Sequence, residues 1–121
     1  MYRVLSISRN VGLLLSRNSI LALAGFSVVS PRTPEEAPLL AKQENVDAVV
    51  IGHSVDSEAR KRIITELRSL CPGCLICFVY TLPDEGYEPL ADVSLDVTKG
   101  PEPLVTFLGE RLPRETPSTQ L

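Results

Sequence analysis

The chain has 121 residues, enough for one domain of ordinary size. At 44% hydrophobic and 22% charged residues it has the make-up of a folded globular domain, which excludes a disordered chain and a collagen-like one. Twelve Lys and Arg against fifteen Asp and Glu leave a net charge of -3, and the longest basic run is only Arg60-Lys61-Arg62, so no nucleic-acid partner is expected.

Residues 3–7 read as a short strand, and Asn10 stands where a helix N-cap belongs, ahead of a Leu-rich helix over residues 11–24. Its apolar start, Val11 to Leu15, is interrupted by Ser16, Arg17 and Asn18 and is too short for export or for a bilayer span, so no membrane association and a cytoplasmic setting are expected. Gly25 ends the helix, and residues 26–30, short and β-branched, form a second strand.

Thr33-Pro-Glu-Glu36 reads as a capping box, the Thr33 hydroxyl accepting from the Glu36 amide. Pro38 weakens the first turns of the helix that follows, which places its ordered part mainly over residues 39–43. Residues 48–51, apolar without alternation, form the central strand, buried on both faces.

A third helix over residues 56–70 buries Ala59, Ile63, Leu67 and Leu70, and the basic run at Arg60 falls on its solvated face. Cys71-Pro-Gly-Cys74 breaks it, and residues 75–80 form another fully apolar strand. Pro83, Gly86 and Pro89 leave room for at most a turn or two of helix over residues 82–90. A fifth strand follows at residues 93–98, then a last helix with Leu104, Val105, Leu108 and Leu112 on one stripe. The expected organisation is one domain over residues 1–112 and a flexible tail over residues 113–121.

Strands alternating with helices through five repeats imply an α/β fold, a doubly wound parallel five-stranded sheet covered on both faces. In such sheets ligands bind beyond the carboxyl ends of the strands, here at Ser8, Arg9, Gly52, His53, Thr81 and Lys99.

The order and spacing of Leu23-Ala-Gly-Phe-Ser-Val-Val29, Thr33-Pro-Glu-Glu-Ala37, Val46-Asp-Ala-Val-Val-Ile51 and Val97-Thr-Lys-Gly100 resemble the receiver domain of two-component response regulators over residues 3–112. The resemblance implies a flavodoxin-like (βα)5 fold with a shortened fourth helix. It also implies a pocket in which a working receiver phosphorylates an Asp with the help of a divalent metal. In this chain the phosphoacceptor position falls on Gly52 and the acidic pair on Ser8 and Arg9, so all three carboxylates are gone. Lys99 matches the phosphate-neutralising lysine, and Thr81, or Tyr80 one residue earlier, matches the switch hydroxyl. Gly100 stands where Pro is usual, and the stretch from Thr81 to Lys99 is short by about one helical turn.

The expectation is a degenerate pseudo-receiver. It is a stand-alone, non-enzymatic signalling module without cofactor or metal that binds a protein: a kinase, an output protein or itself as a homodimer. Two alternatives stay open, a phosphorelay regulator with another acceptor such as Asp56 or His53, and a small-anion binder using Arg9 and Lys99. Arg9 is expected to pair with a loop carboxylate such as Asp56 or Asp84 and fill the emptied site.

Cys71, Cys74 and Cys77 cluster within seven residues, which is not the spread pattern of a disulfide scaffold and agrees with a reducing compartment. A Cys-x-x-Cys pair can serve redox or zinc chemistry, but this one follows a helix C-terminus, whose partial negative charge disfavours a thiolate. Cys71 and Cys74 are expected in an inert exposed turn, Cys77 inside a strand, and His53 as an ordinary loop residue.

Overall fold

In the computed structural model, which describes residues 1–81 and 87–112, five strands pair in parallel. They are Arg3–Ile7 (β1), Ser27–Val29 (β2), Ala48–Gly52 (β3), Leu75–Tyr80 (β4) and Val93–Asp96 (β5), in the order β2-β1-β3-β4-β5. Between and after them run the helices Val11–Leu23 (α1), Ala37–Glu44 (α2), Ser57–Leu70 (α3) and Glu102–Arg111 (α4). The expected doubly wound α/β sheet is thus observed.

Alternate strand residues divide the core in two. Leu5, Val49, Ile51, Ile76 and Phe78 pack with α2 and α3, whereas Val4, Val50, Cys77 and Val79 pack with Leu21 of α1 and Leu104 and Leu108 of α4. All five residues of β3 are buried, as its unalternating apolar run requires when helices cover both faces. Each such Val or Ile contributes about 1.5–3 kcal/mol relative to exposure.

Caps set the starts of the helices at the functional end. Asn10 accepts from the Leu13 amide at 3.0 Å and Asp56 from the Ala59 amide at 3.0 Å, each satisfying a first-turn donor. The register pairs Ile7 with Ile51 and Gly52 with Val79, so the carboxyl ends of β1, β3 and β4 lie side by side.

Three expectations need correction. Thr33 makes no side-chain cap: the Glu36 amide bonds the Thr33 carbonyl at 3.1 Å, and Pro34–Glu36 is a 3-10 turn. The α-helix then starts at Ala37, because Pro38 falls in its first turn, where no amide is needed. Arg60 is not on a solvated face. It is 8% exposed, its Nε donates to Glu88 Oε1 at 2.8 Å and its Nη1 to the Val55 carbonyl at 2.9 Å, and its guanidinium lies 4.2 Å from the Phe78 ring centroid. A helical wheel cannot register a carboxylate that arrives 28 residues later. Lys61 and Arg62 are exposed as expected.

The turn or two of helix expected over residues 82–90 lies partly outside the described residues. Residues 87–92 hold a turn and no helix, and residues 82–86, with Asp84, lie outside the described part, as does the expected tail at 113–121. Glu88, 1% exposed, organises this connector: its amide donates to Ser94 Oγ and its Oε2 accepts from the Leu90 amide.

Candidate functional site

Gly52 ends β3 and faces the α1 side of the sheet. The space a side chain would need there is taken by α1: a Cβ on Gly52 would lie 2.6 Å from Arg17 Nη2. Arg17 is held in place through Nη1, which donates to Ser6 Oγ at 3.1 Å and to the Ile7 carbonyl at 3.0 Å. Burial pulls its pKa down to about 10, which leaves it a cation at neutral pH.

Serines connect the loops around this point. Ser8 Oγ and Ser54 Oγ are 2.9 Å apart, the Arg9 amide donates to Ser54 Oγ at 2.9 Å, and the Asn10 amide donates to Ser8 Oγ at 3.0 Å. Hydroxyls and backbone therefore satisfy each other where the resemblance would put an acidic pair. A divalent magnesium ion needs oxygen ligands, preferably anionic, and this set offers neutral, mutually bonded hydroxyls, a glycine and a guanidinium. The residues do not fit that ion. Among the described residues no group of three His, Cys, Asp or Glu is placed to hold any metal.

Arg9 turns elsewhere. Its Nη2 lies 2.6 Å from Glu35 Oε2, and that hydrogen bond holds the Glu35 carboxyl below its ordinary range. The partner is thus Glu35 and not Asp56, while Asp84 lies outside the described residues. Asp56 is committed to the N-terminus of α3, where the Ala59 amide holds its carboxyl low. The acid for Arg9 comes from the 3-10 turn, whose approach to this loop is a tertiary fact.

Thr81 follows β4, with Oγ1 3.5 Å from His53 Nε2, while its carbonyl accepts from Thr98 Oγ1 at 2.7 Å. The Tyr80 ring stacks on Phe78 of the same strand, 5.9 Å between centroids, on the face packed with α2 and α3, so Thr81 is the hydroxyl on the Arg17 side. Lys99 is exposed, along a depression shared with Glu102 and Phe107 of α4. Gly52, His53 and Thr81 are brought together, whereas Arg9 and Lys99 are directed to other elements. Gly100 has φ +128, a conformation closed to proline, which accounts for the absence of Pro at that step.

Pro72 and Gly73 of the Cys71 to Cys74 turn are exposed as expected, but the two cysteines are not. Cys74 is 4% exposed and burial pushes its thiol up to about 12, while half-buried Cys71 lies 3.7 Å from the Val46 carbonyl. The two cysteine side chains pack on the core, where the sequence shows only a Pro-Gly break. Cys77, inside β4 as expected, is fully buried and likewise pushed up to about 12. All three thiols are free.

The sequence reading missed Arg17 and Ser54. For Arg17 a signal existed, since it is the single charged residue in the apolar run of α1. Ser54 has no such mark.

Neither a protein-family model nor a curated protein matches this chain. Solved structures do. The chemotaxis response regulator of Vibrio cholerae superposes with a TM-score of 0.75 at 20% identity, covering 93% of this chain and 99% of that one. The fold is that of a CheY-like receiver domain. A CheY-like receiver domain protein of Methanospirillum hungatei gives 0.72 at 22% identity, covering 92% and 93% of the two chains. The CheY-like TadZ protein of Pseudomonas aeruginosa gives 0.71 at 15%, covering 91% and 98%. At such identities the likeness speaks to the fold. Among the described residues no helix is long and apolar enough to cross a membrane.

Proposed function

We propose that this receiver fold works as a non-enzymatic signalling module, one that binds a protein partner without passing through an aspartyl phosphate. The observation that carries the reading is the Arg17 guanidinium standing where a phosphoacceptor side chain would begin at Gly52. A nucleophile, a metal and an attacking donor all require that volume, and a cation in it repels the metal. The serine bridge between Ser8 and Ser54 supports the same reading, because it leaves the loops satisfied without any ion.

Binding to a protein is supported by the outer face of α1. Val11 and Leu15, one turn apart, are 68% and 62% exposed, an apolar surface that a partner would cover. A kinase, an output protein or a second copy of the chain each satisfies this description, in a cytoplasmic setting and without a cofactor.

Intact-mass spectrometry after treatment with acetyl phosphate and Mg²⁺ tests the reading. The expected result is no added phosphoryl group and a melting temperature that Mg²⁺ leaves unchanged. Phosphorylation at Asp56 or His53 would favour the phosphorelay reading, although Asp56 already uses its carboxylate to cap α3.

A further inference from the structure

A cavity of about 160 Å³ lies between α1, α4 and the carboxyl ends of β3 and β4. It is close in size to the roughly 150 Å³ that accommodates a benzene ring in an engineered protein core. Leu13, Ile20 and Leu104 form apolar walls, and the polar groups converge from one side: Arg17, His53 and Thr81. Leu13, 45% exposed, stands at its open rim.

Arg17 reaches this cavity as a half-buried cation that no carboxylate among the described residues pairs. Its Nη1 is occupied by Ser6 and the Ile7 carbonyl. Nη2 and Nε have no acceptor among the described residues, and no carboxylate there pairs with this side chain. Desolvation by burial is what draws its pKa down. A buried unpaired charge is unfavourable, and an anion entering the cavity relieves it.

We propose that this cavity binds a small monocarboxylic acid with a compact apolar body, of the size of benzoate, its carboxylate held by Arg17 and its body packed between α1 and α4. The free edge of the guanidinium, Nε with Nη2, matches a carboxylate bidentately. Thr81 and His53, 3.5 Å apart, offer a further donor to the same group. A single negative charge fits better than a phosphate dianion, because the other cations near the strand ends are engaged or directed away: Arg9 with Glu35 and Lys99 at the surface. The walls select the apolar body, since a fully polar anion would leave them wet.

The test is calorimetric titration of the whole chain with benzoate, benzamide and inorganic phosphate, accompanied by backbone NMR shifts. Benzoate is expected to bind at least about tenfold more tightly than benzamide, which has the same shape without the charge, and than phosphate. Its shifts should fall on Leu13, Arg17, His53, Thr81 and Leu104. Arg17→Gln should remove the preference for benzoate over benzamide, and Leu13→Trp, at the rim, should block both. No benzoate binding at millimolar concentration, equal binding of benzamide, or shifts centred on Lys99 or Arg9 would each overturn the proposal. Benzoate titration and phosphoryl transfer are separate readouts, so the proposed signalling role can fail while this site stands.

Discussion

Arg60 and Glu88 form a buried ion pair, 2.8 Å from Nε to Oε1, that ties the first turn of the third helix to the connector after β4. Each charge is also satisfied by backbone, Arg60 through the Val55 carbonyl and Glu88 through the Leu90 amide. Removing one partner leaves the other desolvated and unpaired, so Glu88→Ala should lower stability by about 3–5 kcal/mol. The double variant Arg60→Met with Glu88→Ala should recover at least about 1 kcal/mol of that loss. Urea unfolding of the wild type and the two variants measures both, and a Glu88→Ala cost below about 1 kcal/mol would show that water reaches the pair.

Gly52→Ala should cost about 1–2 kcal/mol. The added methyl displaces the Arg17 guanidinium from Ser6 and the Ile7 carbonyl, and the flexible end of the side chain can yield. Gly52→Asp should cost less than Gly52→Ala, because the displaced guanidinium gains a carboxylate.

Neither variant should respond to Mg²⁺. Ser8→Asp with Gly52→Asp should gain Mg²⁺-dependent thermal stabilisation only when Arg17→Ala is added, since the cation then no longer competes with the metal. Mg²⁺ stabilisation of Gly52→Asp alone would mean that Arg17 leaves the site readily.

The cysteines should react in order of burial. At neutral pH a thiol reagent should label Cys71 in the folded protein and reach Cys74 and Cys77 only on unfolding. Since burial raises those two thiols from 9.0 to about 12, they stay neutral in the fold while the unfolded chain ionises. Their contribution is therefore complete below the unfolded value and is lost as pH rises from about 9 to about 12. Cys77→Ala should flatten this alkaline slope in thermal melts. Cys77→Ser should cost about 1–3 kcal/mol, because its hydroxyl would be buried in β4. Cys74→Ser should also be destabilising, unlike a change in an exposed turn.

On the acid side the sign reverses. The carboxyls of Asp56 and Glu35 are lowered by the hydrogen bonds they accept, from the Ala59 amide and from Arg9. Their stabilisation is full above the ordinary carboxylate range and is lost as pH falls through the lowered values. Asp56→Asn keeps a capping oxygen without a titrating proton, so its melting temperature should fall less steeply than the wild type's below about pH 4. Parallel slopes for the two proteins would remove Asp56 from the acid limb.

The fold was legible because its signals are local or periodic. The cap at Asn10 and the unalternating run of β3 each decide a boundary within a few residues. The site was legible in address and not in occupant. Gly52 could be placed by counting along the chain, whereas the cation beside it comes from α1 and not from the adjacent Arg9. Arg9, Arg17 and Arg60 have the same chemistry. Only the folded chain assigns one to Glu35, one to an open cavity and one to Glu88.

The two outermost strands are also the shortest, three residues in β2 and four in β5 against six in β4. So few free amides and carbonyls make a poor template for another chain to extend the sheet. Self-assembly by strand addition is therefore discouraged at both margins, and contacts with other macromolecules are left to side chains on the helical faces. There, specificity is set by shape and charge and is open to change one residue at a time.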